Sequence, residues 1–143
     1  MKTVSLSLNF CLRLARAHAA LLRRFDGPLG ALHGLGFGDF LVLLHLSRAP
    51  RGRLRRIDLA GQIGVTASAV TRTLIPLEKV GLVTRQPDAR DARVSYAVLT
   101  KAGWRLLEES LESAEMISRD AIPPEGVRRL GALSELLAQL EVR

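Results

Sequence analysis

Arg72, Arg85, Arg90 and Arg93, together with the hydroxyls of Thr66, Ser68 and Thr71, form the densest set of hydrogen-bonding cationic and hydroxyl groups in this sequence. A guanidinium is a planar fork of N–H donors that matches a phosphate or the O6/N7 edge of guanine, and a hydroxyl donates or accepts at either. All of them fall in one stretch, TASAVTRTLIPLEKVGLVTRQPDARDARVSYAVL, from Thr66 to Leu99. Charge is concentrated in the same region. Residues 48–93 hold ten of the 21 Lys and Arg residues and four of the 14 Asp and Glu residues, so they carry +6 of the net +7. A basic centre between near-neutral ends suits a polyanion, and nucleic acid first among them.

These side chains need rigid elements beneath them, and the apolar spacing supplies candidates. Phe10, Cys11, Leu14, Ala15, His18, Leu21, Leu22 and Phe25 recur at helical spacing, with Arg13, Arg16, Arg23 and Arg24 between them. This predicts a long amphipathic helix ending near Asp26-Gly27-Pro28 or running on to Gly34 and Gly36. A second helix, Gly38 to Ser47, is apolar nearly all round and should be buried. Pro50-Arg51-Gly52 then breaks the chain before a short basic strand, Leu54 to Ile57. Asp58 reads as the N-cap of a helix to Ile63, Gly64 as a left-handed turn, and Thr66 or Ala67 as the start of the next helix. Val70, Leu74 and Leu77 give that helix an inner stripe, and Gly81 ends it. Leu82 to Gln86 and Arg93 to Leu99 read as strands around the turn Pro87-Asp88-Ala89-Arg90-Asp91. Thr100 caps a long helix carrying Trp104, Leu107, Leu111 and Ala114, which Pro123-Pro124 stops, and a last helix carries Leu130, Leu133, Leu137 and Leu140.

Ala60, Gly64 and Val70 stand at helix-turn-helix spacing: a small residue where helices touch, a turn glycine, and an inward β-branched residue. In that motif the second helix puts its N-terminal residues into the major groove of DNA. Its outward face here is Thr66, Ser68, Ala69, Thr71, Arg72 and Ile75. Arg72 suits guanine, worth about 1–3 kcal/mol of discrimination, the hydroxyls suit phosphates or base edges, and Ala69 suits a thymine methyl. Arg90 at the hairpin tip suits a narrow, electronegative minor groove. Arg85 and Arg93 would hold phosphate or brace the hairpin, with Asp91 pairing to Arg93. Pro76 lies inside the reading helix, removes a backbone bond to Arg72, and should kink it.

The chain resembles the MarR family of bacterial transcription regulators. The resemblance rests on Leu59 to Gly61, Ser68-Ala69-Val70-Thr71-Arg72, Leu77-Glu78-Lys79-Val80-Gly81-Leu82-Val83, Asp88 to Arg93, and Leu99-Thr100-Lys101-Ala102-Gly103. Pro76 departs from it, since the family often has a polar residue there. The resemblance implies a mainly α winged helix-turn-helix with a small β wing, in the order α-α-β-α-α-β-β-α-α. Residues 37–103 would be the DNA-binding unit, and residues 1–36 and 104–143 the helices through which two copies join. It further implies a homodimer on a pseudo-palindromic double-stranded operator. Family members usually repress, and many release DNA when a small ligand binds between the dimer and DNA lobes. The apolar stripes of the terminal helices fit such a shared interface, being too short for an independent coiled coil.

Sensing residues are less marked. Helix faces place His18, His45 and Trp104 as a candidate ligand pocket. Cys11 reads either as a small core residue or as the redox trigger of the organic-hydroperoxide-sensing branch of that family. That branch supports its cysteine with tyrosines, whereas Phe37 and Phe40 stand near those places here and the sole tyrosine is Tyr96. Without hydroxyls to stabilise a thiolate, the core reading is preferred. His18, His33 and His45 lack close metal-ligand spacing. No phosphate loop, nucleophile elbow, carboxylate cluster or Cys/His metal set is present, so neither enzyme activity nor a cofactor is expected.

The single cysteine suits a reducing compartment. Lys2 followed by TVSLSLNFCL and ARAHA imitates a signal peptide, but Ser5, Ser7 and Asn9 dilute the apolar stretch and Arg13 falls before any cleavage point. A cytoplasmic protein without a membrane span is expected. The rival readings are an architectural protein binding DNA without sequence choice and a winged helix that binds protein.

Overall fold

Ser5 opens the first helix, its hydroxyl accepting from the Leu8 N–H at 3.2 Å. From there α1 runs from Leu6 to His33 in the computed structural model, which describes residues 2–141. The helix begins four residues before Phe10 and passes straight through Asp26-Gly27-Pro28, taking the longer of the two expected courses. Pro28 has no N–H, so the Arg24 carbonyl loses its helical donor. Burial of Phe25 and Leu29 on either side holds the turn regardless, each buried side chain contributing about 1.5–3 kcal/mol. Gly34, in the left-handed conformation at φ 68°, ends the helix.

The second helix, α2 (Phe37–Arg48), is the pivot of the core: Phe40, Val42, Leu43 and Leu46 are all buried. Asp26 and Asp39 fix its entry by accepting from the N–H groups of Phe37 and Gly36. A single 3-10 turn, Pro50–Gly52, leads to β1, which spans Arg53–Arg55 rather than Leu54 to Ile57. Arg56 and Ile57 already belong to α3 (Arg56–Ile63). Asp58 is therefore not the N-cap. It sits in the first turn of α3 and pairs with Arg55 at 3.4 Å, because the strand enters the helix with no intervening loop.

Gly64 makes the expected left-handed turn at φ 82°, and α4 follows over Ala67–Lys79 with Val70, Leu74 and Leu77 buried. Strands β2 (Val83–Pro87) and β3 (Ser95–Leu99) form the hairpin. The antiparallel sheet has the order β1-β3-β2, with Leu54 and Arg85 both opposite Ala97, so β2 lies at an edge. The next helix, α5 (Lys101–Ala121), starts at the hairpin's neck. There the Thr100 hydroxyl donates to the Gly81 carbonyl at 2.6 Å and accepts from the Gly103 N–H at 3.1 Å. A Cβ at Gly103 would collide with the Leu82 carbonyl, so only glycine lets α5 begin this close to β2.

Ile122 caps α5 ahead of Pro123-Pro124, a 3-10 segment covers Pro124–Arg129, and α6 runs from Leu130 to Glu141. The order of helices and strands is the one expected, mainly α with a small β wing. One core, built around α2, takes in α1 and α5 as well as α3, α4 and the sheet. No residue of α6 is buried. Among the described residues no single helix is long and apolar enough to cross a membrane. Residues 1, 142 and 143, which the sequence reading assigns to the terminal helices, lie outside the described residues.

Candidate nucleic-acid interface

Close helix contact shapes the reading element. Ala60 is buried, the Gly64 N–H donates to its carbonyl at 2.9 Å, and Val70 is buried on the facing side. These contacts turn the opposite face of α4 outward. Thr66 is the N-cap, its hydroxyl oxygen accepting from the Ala69 N–H at 3.1 Å. Ser68, Arg72 and Ile75 are exposed at helical spacing, while Ala69 and Thr71 are half-buried at the edge of that face. The outward surface is thus narrower than expected, since one hydroxyl caps the helix and the positions at 69 and 71 turn partly towards the core. Arg72 forms no ion pair among the described residues. Pro76 stays within α4, so Arg72 also keeps a backbone carbonyl without its helical donor.

The hairpin tip is ordered by two carboxylates. Asp88 Oδ1 accepts from the N–H groups of Arg90 at 2.7 Å and Asp91 at 3.0 Å, and its Oδ2 accepts from the Tyr96 hydroxyl at 2.9 Å. These bonds favour the charged form and hold the Asp88 carboxyl below the usual carboxylate value. Asp91 is lowered too, first by the Arg93 side chain, whose Nε and a terminal nitrogen donate at 3.1 and 3.2 Å, and then by the Arg93 N–H. Asp91 therefore steadies the loop through Arg93, as expected. Arg90 has its N–H bound while its side chain is exposed and unpaired among the described residues. Arg85 reaches Glu78 on α4 at 3.7 Å and so braces the hairpin against the reading helix.

Three residues missed in the sequence join this surface. Arg53 stacks over Tyr96 at 4.4 Å and donates to Gln86 at 2.9 Å, tying β1 to the hairpin. Arg55 and Arg56 line an open cleft of about 770 Å³ together with Arg85 and Arg93. The run Arg53-Leu54-Arg55-Arg56 showed as part of the basic centre, but the β1–β3 pairing that carries it to the hairpin is non-local.

None of the three expected pocket residues lines the apolar cavity beside Pro76, where the α1–α2 junction faces the second half of α4 and α5. His18 is exposed on α1, His45 bonds the Leu41 carbonyl of its own helix at 2.8 Å, and Trp104 packs beside Gly52. Cys11 is exposed rather than a core residue of the chain, because the first half of α1 extends beyond the core. Phe37 stacks on Phe25 at 4.4 Å and lies 6.3 Å from Phe40, both inside the core. Phe25 lies about 21 Å along α1 from Cys11.

Comparison with known proteins gives consistent matches. The sequence model of the MarR family matches residues 38–95, from α2 into β3. The HTH-type transcriptional regulator FarR of Neisseria gonorrhoeae is 38% identical over 141 residues, covering 98% of this chain and 94% of its own. The MarR family regulator Sco3205 of Streptomyces coelicolor, solved in complex with DNA, superposes with a TM-score of 0.82 at 26% identity, over 97% of this chain and 90% of its own. NadR, solved in complex with 4-hydroxyphenylacetate, superposes with a TM-score of 0.80 at 28% identity, over 99% of each chain.

Proposed function

The chain belongs to the MarR family of transcription regulators, and on that premise we propose that it is a cytoplasmic, homodimeric repressor that binds a pseudo-palindromic operator. The observation that carries this reading is a pair of arginines that form no ion pair among the described residues, Arg72 on α4 and Arg90 at the hairpin tip. Arg72, with Ser68 beside it and Thr71 and Ala69 at the margin, reads bases in the major groove. Arg90 enters the adjacent minor groove. Thr66 presents its hydroxyl to the backbone while capping α4, and Arg85 and Arg93, joined by Arg55 and Arg56 in their cleft, hold phosphates. Such contacts position the protein, and the two reading helices specify the site.

Residues 37–103 serve as the DNA unit and the terminal helices as the dimer unit. The exposed leucines of α6 and the first half of α1 support that division. The complex of Sco3205 with DNA supports the DNA partner, and that of NadR with 4-hydroxyphenylacetate supports release by a small molecule. The test is titration of the protein onto DNA from upstream of its own gene, beside scrambled DNA, at two salt concentrations. Specific binding should exceed non-specific binding by about 10³-fold or more, with both weakening as salt rises. Equal affinity for the two DNAs would replace this reading with an architectural role.

A further inference from the structure

One large apolar side chain on the surface of α4 is unused by the proposed contacts. The helix buries Val70, Leu74 and Leu77 and leaves Ile75 45% exposed. Ile75 follows Arg72 by three residues and Ser68 by seven, and both of those are exposed. Seven residues are close to two full turns, so Ile75 stands about 20° around the helix axis from Ser68. Its side chain therefore belongs to the face that carries the reading groups and not to the buried stripe. Single exposed apolar residues are common on protein surfaces and call for no partner. The position of this one gives it a counterpart.

When that face of α4 enters the major groove, Ile75 loses its water and meets base edges. It has neither donor nor acceptor. Over guanine, adenine or unmethylated cytosine it would strip water from N7, O6 or an amino group and return no hydrogen bond. The C5 substituent of a pyrimidine is the one apolar group that base pairs show in that groove. Thymine carries a methyl group there, and cytosine acquires the same group in the same place when it is methylated at C5. Ala69, the other residue suited to a methyl, is half-buried at the margin of the face and has a single carbon to offer.

Spacing fixes where the methyl should lie. Arg72 and Ile75 are about 4.5 Å apart along the axis of α4, and base pairs are stacked about 3.4 Å apart. The methyl therefore falls one or two base pairs from the guanine that Arg72 contacts. The whole row from Ser68 to Ile75 spans about 10.5 Å, or about three base pairs.

We propose that Ile75 is a specificity-determining residue that reads the C5-methyl group of a pyrimidine. Operator affinity then depends on whether the base facing Ile75 carries that methyl, as thymine does and as cytosine does only once methylated. The proposal rests on the DNA-reading role proposed for α4.

The test is a scan of the operator duplex with the full-length protein. Each thymine in turn is replaced by deoxyuridine and each cytosine by 5-methylcytosine, which removes or adds the methyl and leaves base pairing intact. At a position one or two base pairs from the guanine read by Arg72, removing the methyl should weaken binding about fourfold, or adding it should strengthen binding by the same factor, the worth of one buried carbon. The first result names thymine as the source, and the second names methylated cytosine. In Ile75→Ser the two duplexes should bind alike, with thermal unfolding unchanged because the side chain is outside the core. Ile75→Val keeps a branched apolar side chain and should keep the methyl dependence. Arg72→Ala should keep it too, while losing the preference for the neighbouring guanine. A dependence that survives Ile75→Ser would assign the methyl to groove shape or to Ala69 and overturn the proposal. Operator binding with no position sensitive to the methyl would overturn it as well and leave the repressor reading standing. A protein that ignores every duplex removes the DNA-reading role of α4, and this inference with it.

Discussion

In the second half of α1, Leu29 is 0% exposed and Phe25 is 7% exposed; in the first half, Leu6 is 89% and Leu12 51% exposed. The same contrast separates α2, whose apolar faces are covered by α1, α3, α4 and α5, from α6, none of whose leucines is buried among the described residues. The winged lobe and the helix ends that touch it complete their core within one molecule. The outer ends present leucine at core-like spacing without a core. Contiguous apolar surface of this kind marks a binding face, and the proposed dimer covers it with a second copy.

Truncation inside the closed part tests the contrast most strongly. Leu43→Ala should cost about 2–5 kcal/mol, read as a fall in the urea midpoint that is the same at every protein concentration. A concentration-dependent loss would show that the two parts are not independent. The paired change Leu133→Asp and Leu137→Asp on α6 should instead halve the mass seen in sedimentation. It should also reduce operator affinity by about 10²-fold, as two linked half-sites become one. An unchanged mass would move the dimer face elsewhere.

Substitutions on the outer surface of the closed lobe should leave both stability and mass alone. Arg72→Ala should cost about 1–3 kcal/mol of base discrimination, relaxing the preferred sequence. Arg90→Ala should weaken binding to most sites and lower the slope of log affinity against log salt by about one. Unchanged binding in both would remove the contact scheme. Acid gives the smallest effect. Asp88 and Asp91 titrate below the ordinary 3.8 when folded. Their contribution to the hairpin is therefore complete above that value and disappears as pH falls through the lower folded values. The amide signals of Arg90 and Asp91 should stay constant from about pH 5 to 8 and lose protection only in acid below the ordinary value. A change near neutral pH would rule out these carboxylates as its source.

Local features were the legible ones. Gly64, Thr66 and Thr100 announce themselves because a left-handed turn or an N-cap needs particular side chains within three residues. The inner stripe of Val70, Leu74 and Leu77 was equally plain. Where distant packing decided, the sequence left alternatives open or misled. Pro28 left α1 a choice between stopping and running on to Gly34, and the buried neighbours Phe25 and Leu29 decide it by outweighing one lost hydrogen bond. Asp58 looks like a cap, but β1 pairs with β3 and delivers the backbone directly into α3. Arg90 was legible as a projecting charge. The Asp88–Tyr96 bond and the Arg53–Tyr96 stack that steady its loop depend on strand register, which no local pattern prints. The cavity beside Pro76 gathers residues from four helices and their connecting segments, and nothing in their spacing foretells it.

The sheet order has one more consequence. With β2 outermost, Thr84, Arg85, Gln86 and Pro87 form an open border where a foreign strand could attach. Pro87 offers no N–H to such a strand, and Arg85 places a charge beside it. This border of the sheet thus discourages the addition of strands, whereas the exposed leucines of the molecule lie on its helices α1, α5 and α6.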